Sequence, residues 1–451
     1  MAREIYDKSW WGQPQDGGWG DIYYDFFASS DLGGISTSME FTPAASVASG
    51  AINANKPASE ALTFTRASVA TFVGSNTYIQ DSASGVPRID YLGNSAGHLL
   101  LEPQRTNLYP YHTLRLNTSQ VNASKNTNTT EVTSPANDNT ATKVTTADKG
   151  TGGKAGIVAK TAEGTNHNFT ASTDYTASVF VKKLDFDFIQ LICENFSGLA
   201  DTNVYFNVST GAVGTETNAT GFIEDYGNGW YRCAMKFNLG TNADLSGRVL
   251  FRFADGDGDN SVPRDGTDSM YFWGAQLEEG SYPTSLIKTS GSAVTRSADA
   301  ASGAGDSTLF NDSEGTIVAE YAALADDQTN RFFGISDGTD DERVLLGYGS
   351  ASTNRIRAII TNAGSSTAVL TNAENSITDF NKVAVKYKED DVALWINGSE
   401  AETDTDAAMP SGLNEFLLDS GSGASDFYGK IKSIKIYKSA LSDEDLTTET
   451  S

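Results

Sequence analysis

Asp255, Asp257 and Asp259 recur at every second position of one glycine-rich loop, with Asp265 and Asp268 beyond them. Alternating carboxylates are the donors that a hard, oxygen-seeking cation such as calcium prefers. A twelve-residue calcium loop also needs glycine at its sixth position and a bidentate glutamate at its twelfth. Those positions here are Asn260 and Gly266, so that motif fails. A looser calcium site and a solvated hairpin tip are the two remaining readings. Trp395 offers a second kind of chemistry. It sits on the strand face opposite Leu394 and Ile396, and an outward indole is a platform on which sugar C–H groups can stack. Arg355 and Arg357 alternate with Ile356 and Ala358 and so also point away from a core. Together the three are the candidate glycan-facing residues. Packing of Trp395 against a second sheet or a neighbouring subunit is the competing reading.

Catalytic signals are poor. His98, His112 and His167 stand apart without cysteine or acid companions at metal-ligand spacing. Gly150 to Ala155 lacks both the first glycine and the hydroxyl residue of a phosphate-binding loop, and no Gly-X-Ser-X-Gly elbow occurs. Carboxylate pairs such as Asp185 with Asp187 are expected by chance in a chain with 58 acids. A glycosidase needs two of them facing across a cleft. Cys193 alternates with Ile189 and Leu191, and Cys233 with Tyr231 and Met235, which reads as small buried hydrophobes. The sequence predicts no enzyme and, calcium aside, no cofactor.

The elements that must position these residues are strands. Tyr175, Ala177, Val179 and Val181 share one parity, as do Val249, Phe251 and Phe253 against Arg248 and Arg252. Period two with one polar side marks half-buried antiparallel sheet. Turn signals at Tyr226 to Gly229 and Asp255 to Gly258 separate such runs. Val383, Val385 and Tyr387, an acidic turn at Glu389 to Asp391, and Val392, Leu394 and Ile396 spell a hairpin. Ser442 before three acids reads as the cap of one short helix.

The composition fits that reading. The chain has 451 residues and a formal charge of −26. Such a balance excludes a nucleic-acid groove, because phosphates attract clustered cations. No run approaches the roughly 18 apolar residues of a membrane span. The start carries no apolar stretch, so no signal peptide is expected. Residues 1–35 instead crowd Trp10, Trp11, Trp19, Tyr23, Tyr24, Phe26 and Phe27 between glycines. A segment that short cannot bury this much aromatic surface alone, so it reads as a docking arm or as part of a later core. Residues 36–60 read as a linker, 61–115 as a small β adapter module, 116–300 as one sandwich and 301–451 as another. The predicted fold class is all-β: tandem antiparallel β-sandwiches after an aromatic N-terminal arm.

Particular strings carry a resemblance. Leu62-Thr63-Phe64-Thr65-Arg66-Ala67-Ser68, Val86-Pro87-Arg88-Ile89-Asp90-Tyr91 and Leu100-Leu101-Glu102-Pro103-Gln104-Arg105-Thr106-Asn107-Leu108 resemble a module recurrent in bacteriophage structural proteins. Val179 to Lys183, Gly229 to Arg232, Trp273-Gly274-Ala275-Gln276-Leu277-Glu278-Glu279-Gly280 and Ala293-Val294-Thr295-Arg296-Ser297-Ala298-Asp299 resemble the carbohydrate-binding-module-like sandwich that follows it. The last 150 or so residues are similar to concanavalin A-like, laminin-G-type domains, through Lys382 to Tyr387, Leu394 to Gly398 and Gly429 to Lys432. The resemblance implies jelly-roll and concanavalin A-like sandwiches in a virion fibre or spike, made in host cytoplasm. It implies a homotrimer attached to capsid or tail proteins through the aromatic arm, with host-surface glycan as a further partner. No heptad shaft or repetitive rod is present, which departs from a long tail fibre. A bacterial glycan-binding adhesin and a polysaccharide-degrading enzyme are the alternative classes; a secretion signal would favour the first and a catalytic constellation the second.

Overall fold

A computed structural model describes residues 62–114, 126–148 and 152–451, together with the strand pairs at 22–25 and 121–122; for 22–25, 121–122 and 126–131 only the backbone is described. Every strand pairing among them is antiparallel. Among the described residues the elements build two β-sandwiches and one short helix, the all-β class that the alternating parity predicts.

The middle sandwich packs a six-stranded sheet, centred on Asp174–Lys182 and Ser269–Glu279, against a seven-stranded sheet centred on Phe188–Glu194 and Ser246–Ala254. Ile189, Leu191 and Cys193 stand beside Phe253, Phe251 and Val249 of the adjacent strand on its inner face. Cys193 and Cys233 are both buried there, and burial pushes both thiols up. Tyr226 and Trp230 close the expected tight turn, with the Tyr226 N–H donating to the Trp230 carbonyl at 2.9 Å.

The C-terminal sandwich packs an eight-stranded sheet against the five strands Ser365–Asn372, Ile356–Asn362, Arg343–Tyr348, Arg331–Ser336 and Glu415–Leu417. Its core joins Ile317, Val385 and Leu394 to Val344, Leu346 and Ile360. The hairpin Asn381–Lys388 and Val392–Ile396 forms as its pattern predicts, Asp390 taking the left-handed conformation at the turn. Ser442 caps the helix Asp443–Thr450, its hydroxyl accepting from the Asp445 N–H.

Segment 62–111 is divided between the two sandwiches. His98–Leu101 pairs with Gly429–Tyr437, and Leu62, Leu99 and Leu101 belong to the C-terminal core. Val73 and Ile79 instead pack with Phe180, Trp230 and Trp273 of the middle sandwich. The chain leaves for the middle sandwich and returns at one place: Tyr111 bridges Ser290, and the Thr289 N–H donates to His112 Nδ1 at 3.0 Å. The middle sandwich is therefore inserted into a body built from residues on both sides of it.

Candidate functional site

The densest gathering of charged side chains lies where the two sandwiches meet, and it is buried. Arg88 Nη1 donates to Glu102 Oε2 at 2.6 Å and its Nη2 to Asp299 Oδ2. Arg66 Nη1 reaches the other Asp299 oxygen at 3.0 Å, and Arg296 Nη1 reaches Glu102 Oε2 at 2.7 Å. Ser285 adds its backbone N–H and hydroxyl to Glu102, each at 2.6 Å. Glu278 accepts from Gln276, from the Thr284 N–H and from the Thr284 hydroxyl. Three arginines thus meet two carboxylates, with Glu278 held beside them by Gln276 and Thr284, and no side chain is more than slightly exposed. Short strands place them: Thr63–Thr65 pairs with Ala300–Ser302, and Arg105–Asn107 with Val294–Arg296. Asn107 completes the junction, its amide serving the Ala275 and Ile287 carbonyls and its oxygen accepting from the Leu277 and Tyr109 N–H groups.

Burial alone would raise the Glu102 carboxyl, but Arg296, Arg88 and Ser285 outweigh it and hold the group well below the usual carboxylate range. A group so held stays ionised at any working pH and has no proton to give. Ion-paired through each arginine and shut from solvent, with only the Arg88 and Arg296 Nε groups lacking a partner, the constellation binds the fold and has no open position for a substrate.

The predicted site residues fall elsewhere. Trp395 does lie opposite Leu394 and Ile396, yet it is 7% exposed and packs with Val318, Ala384, Leu441 and Leu446. The C-terminal helix lies over that face, so the indole is core and cannot stack on a sugar. Arg355 and Arg357 are half-buried on the outer face of the five-stranded sheet, away from Trp395's sheet. The calcium reading is also corrected. Asp257 accepts from the Thr215 N–H and hydroxyl, while Asp259 Oδ1 caps its own turn at the Ser261 N–H. The Asp257 and Asp259 carboxylates are thus spent on different local bonds, and among the described residues no three His, Cys, Asp or Glu side chains are grouped to hold a metal ion. Of the arm residues, Tyr23 and Tyr24 fall in the strand Ile22–Asp25, whose backbone pairs with Gly429–Tyr437. Trp10, Trp11, Trp19, Phe26 and Phe27 lie outside the described residues. No described helix is long and apolar enough to cross a membrane.

Two surface features escaped the sequence reading. On the outer face of the seven-stranded sheet, Tyr205, Gln190, Arg252 and Gly156 stand in one register row. Asn260 bonds Gln190 from above at 2.9 Å, and Glu194 binds both Arg248 and Arg252. The parity of Gln190 against Leu191 was a signal for this row; its register was not. A shallow groove of about 840 Å³ opens on the C-terminal sandwich beside Phe310, Asp312, Gly412, Leu413 and Lys438. Asp312 there ties down the Gly412 and Leu413 N–H groups at 2.8 and 3.0 Å, so its carboxylate is already engaged.

Comparison with known proteins adds a family-model match for one part of the chain. No curated protein matches the sequence. Among solved structures, the chain is similar to the CBM40 domain of the Ruminococcus gnavus IT-sialidase, with 22% identity, 33% of this chain and 94% of that one covered, and a TM-score of 0.28. It is similar to a leech intramolecular trans-sialidase at 22% identity, covering 33% and 26%, with a TM-score of 0.28. Domains LG4-5 of the mouse laminin α1 chain align at 9% identity over 64% and 86%, with a TM-score of 0.22. Residues 289–447 match the family model described as the concanavalin A-like lectin/glucanases superfamily, and this part of the chain is a lectin-like β-sandwich.

Proposed function

We propose that this chain is a structural subunit of a bacteriophage virion, a head- or tail-attached fibre or spike that presents lectin-like sandwiches to host-surface glycan. The observation that carries the reading is the buried junction. Arg66, Arg88, Glu102, Glu278, Arg296 and Asp299 come from five separate strings, each one of those through which the chain resembles phage structural proteins. Their convergence makes the resemblance one linked constellation rather than scattered short matches. A junction of this kind suits display, since it holds two sandwiches as one stiff body at the end of an arm. The concanavalin A-like match at 289–447 supports glycan as the ligand class. The aromatic arm is the segment that would dock on capsid or tail, and a homotrimer is the assembly such an appendage takes. The role is non-enzymatic.

Purified phage particles from a culture that makes the protein provide the test. Mass spectrometry should find the chain in particles after density-gradient purification, and light scattering of the recombinant chain should give a trimer. Recovery only from the cell envelope or the medium, with none in particles, would replace this reading with that of a bacterial adhesin.

A further inference from the structure

From residue 301 onward the chain carries 26 acidic and 11 basic residues, four of them arginines. Arg331 and Arg343 pair with Asp327 and Asp340. Arg355 and Arg357 form no ion pair with any described residue, although acids outnumber bases more than two to one around them. They are also neighbours. A Cβ on Gly349 would come within 2.3 Å of Arg357 Cδ and 3.1 Å of Arg355 Cδ, so both stems lie side by side over one glycine.

The setting is fixed. The Gly349 N–H donates to the Arg355 carbonyl, the Ser350 N–H to Asn330 and the Asn354 N–H to Asp326, each at 2.9 Å. These bonds hold the hairpin that carries the pair. Phe332, Gly347, Arg357 and Thr371 form one register row across four strands. The Arg357 guanidinium carbon lies 5.8 Å from the Phe332 ring centroid, which orients it by cation–π attraction. One row away stand Ile359 and Val369, and Val369 is 40% exposed. Arg357 Nε is shielded from solvent and has no partner. Burial and then the like charge of Arg355 lower the Arg357 pKa, and no carboxylate counters them. Two adjacent guanidinium groups in an acidic body, oriented and unpaired, are a site lacking its anion.

We infer that Arg355 and Arg357 bind the acidic group of a glycan, a carboxylate or sulfate, with the adjoining sugar resting toward Val369. The inference rests on the glycan-binding reading above and names the ligand class. A chain of −26 would repel a densely charged polyanion, and nucleic acid needs many cations in a row. Two arginines suit a polymer whose acidic groups are spaced by neutral sugars.

The test is an array of uronic-acid, sialic-acid and sulfated oligosaccharides printed beside their neutral counterparts, probed with the full chain. Binding to acidic members over their neutral counterparts is expected, weakening with added salt. The R355A/R357A double variant should lose about tenfold to hundredfold in affinity at an unchanged thermal midpoint. The R355K/R357K variant keeps the charge and the fold but not the planar fork, and should fall between the two. Unchanged acidic-glycan binding by the double variant overturns the inference. Binding to neutral members alone overturns it while leaving the glycan reading intact, and binding to no member retires both.

Discussion

Arg88 and Asp299 lie 211 positions apart in the chain and share one ion pair from which solvent is excluded on both sides. The pair joins a residue made before the middle sandwich to one made after it. Neither side chain has water to fall back on, so each depends on its partners in the junction, Arg88 on Asp299 and Glu102, and Asp299 on Arg88 and Arg66, for its charge to be tolerated.

Removing one partner should therefore be costly. Arg88→Met leaves Asp299 with Arg66 and Glu102 with Arg296 as the single ion-pair partner of each buried carboxylate, with an expected loss of about 3–5 kcal/mol in folding stability. Urea unfolding of wild type and variant measures it. A change below about 1 kcal/mol would mean that water reaches the junction.

Trp395 and Leu446 make a second test. Trp395→Ala empties the space beneath the C-terminal helix and should cost about 3–5 kcal/mol. Amide exchange across 443–450 should rise in the variant, since the helix is held by this packing. Glycan binding, scored on protein that remains folded, should not change.

His98 and Asp90 set opposing pH dependences. Burial, with Lys430 and Lys432 nearby, lowers the His98 pKa to about 3, so the folded state refuses a proton that the unfolded state accepts. Its contribution is complete above 6.5 and is lost as pH falls toward 3. Burial raises Asp90 to about 6 despite the Val73 and Leu92 N–H bonds, so there the folded state keeps a proton that the unfolded chain releases. That contribution is present below about 4 and is lost as pH rises to about 6. Each slope is about 1.4 kcal/mol per pH unit, of opposite sign, and between 4 and 6 they offset one another. Relative to wild type, Asp90→Asn should become more acid-sensitive across that window, and His98→Gln less so. Denaturant unfolding at a series of pH values decides it; parallel curves for all three proteins would show that neither group titrates as its burial implies.

Calcium should leave the thermal midpoint unchanged, because Asp255, Asp257 and Asp259 do not converge. Asp257→Ala should cost no more than about 1 kcal/mol, the worth of its exposed bonds to Thr215. A calcium-dependent rise in the midpoint that Asp257→Ala abolishes would restore the metal reading.

What the sequence made legible was local. Parity placed Ile189, Leu191 and Cys193 on one inner face, and the Ser442 cap and the Glu389 to Asp391 turn could be read from residue chemistry within a few positions. For Trp395 the strand parity left glycan stacking and packing both open, and packing prevails because its cover comes from a helix some fifty residues later. Arg66 and Asp299 are 233 positions apart, so no spacing rule pairs them. The strings that hold them were conspicuous as strings, while their physical purpose waited on the fold. Arg355 and Arg357 faced outward as expected; that they lack partners is a tertiary property.

The antiparallel pairing of His98–Leu101 with Gly429–Tyr437 governs the order of events on the ribosome. The earlier strand emerges more than three hundred residues before its partner, and through that interval its edge has nothing to pair with. The middle sandwich can close as soon as it is made, whereas the surrounding body waits for Gly429–Tyr437. A product cut short before residue 429 would hold one finished sandwich and one open sheet.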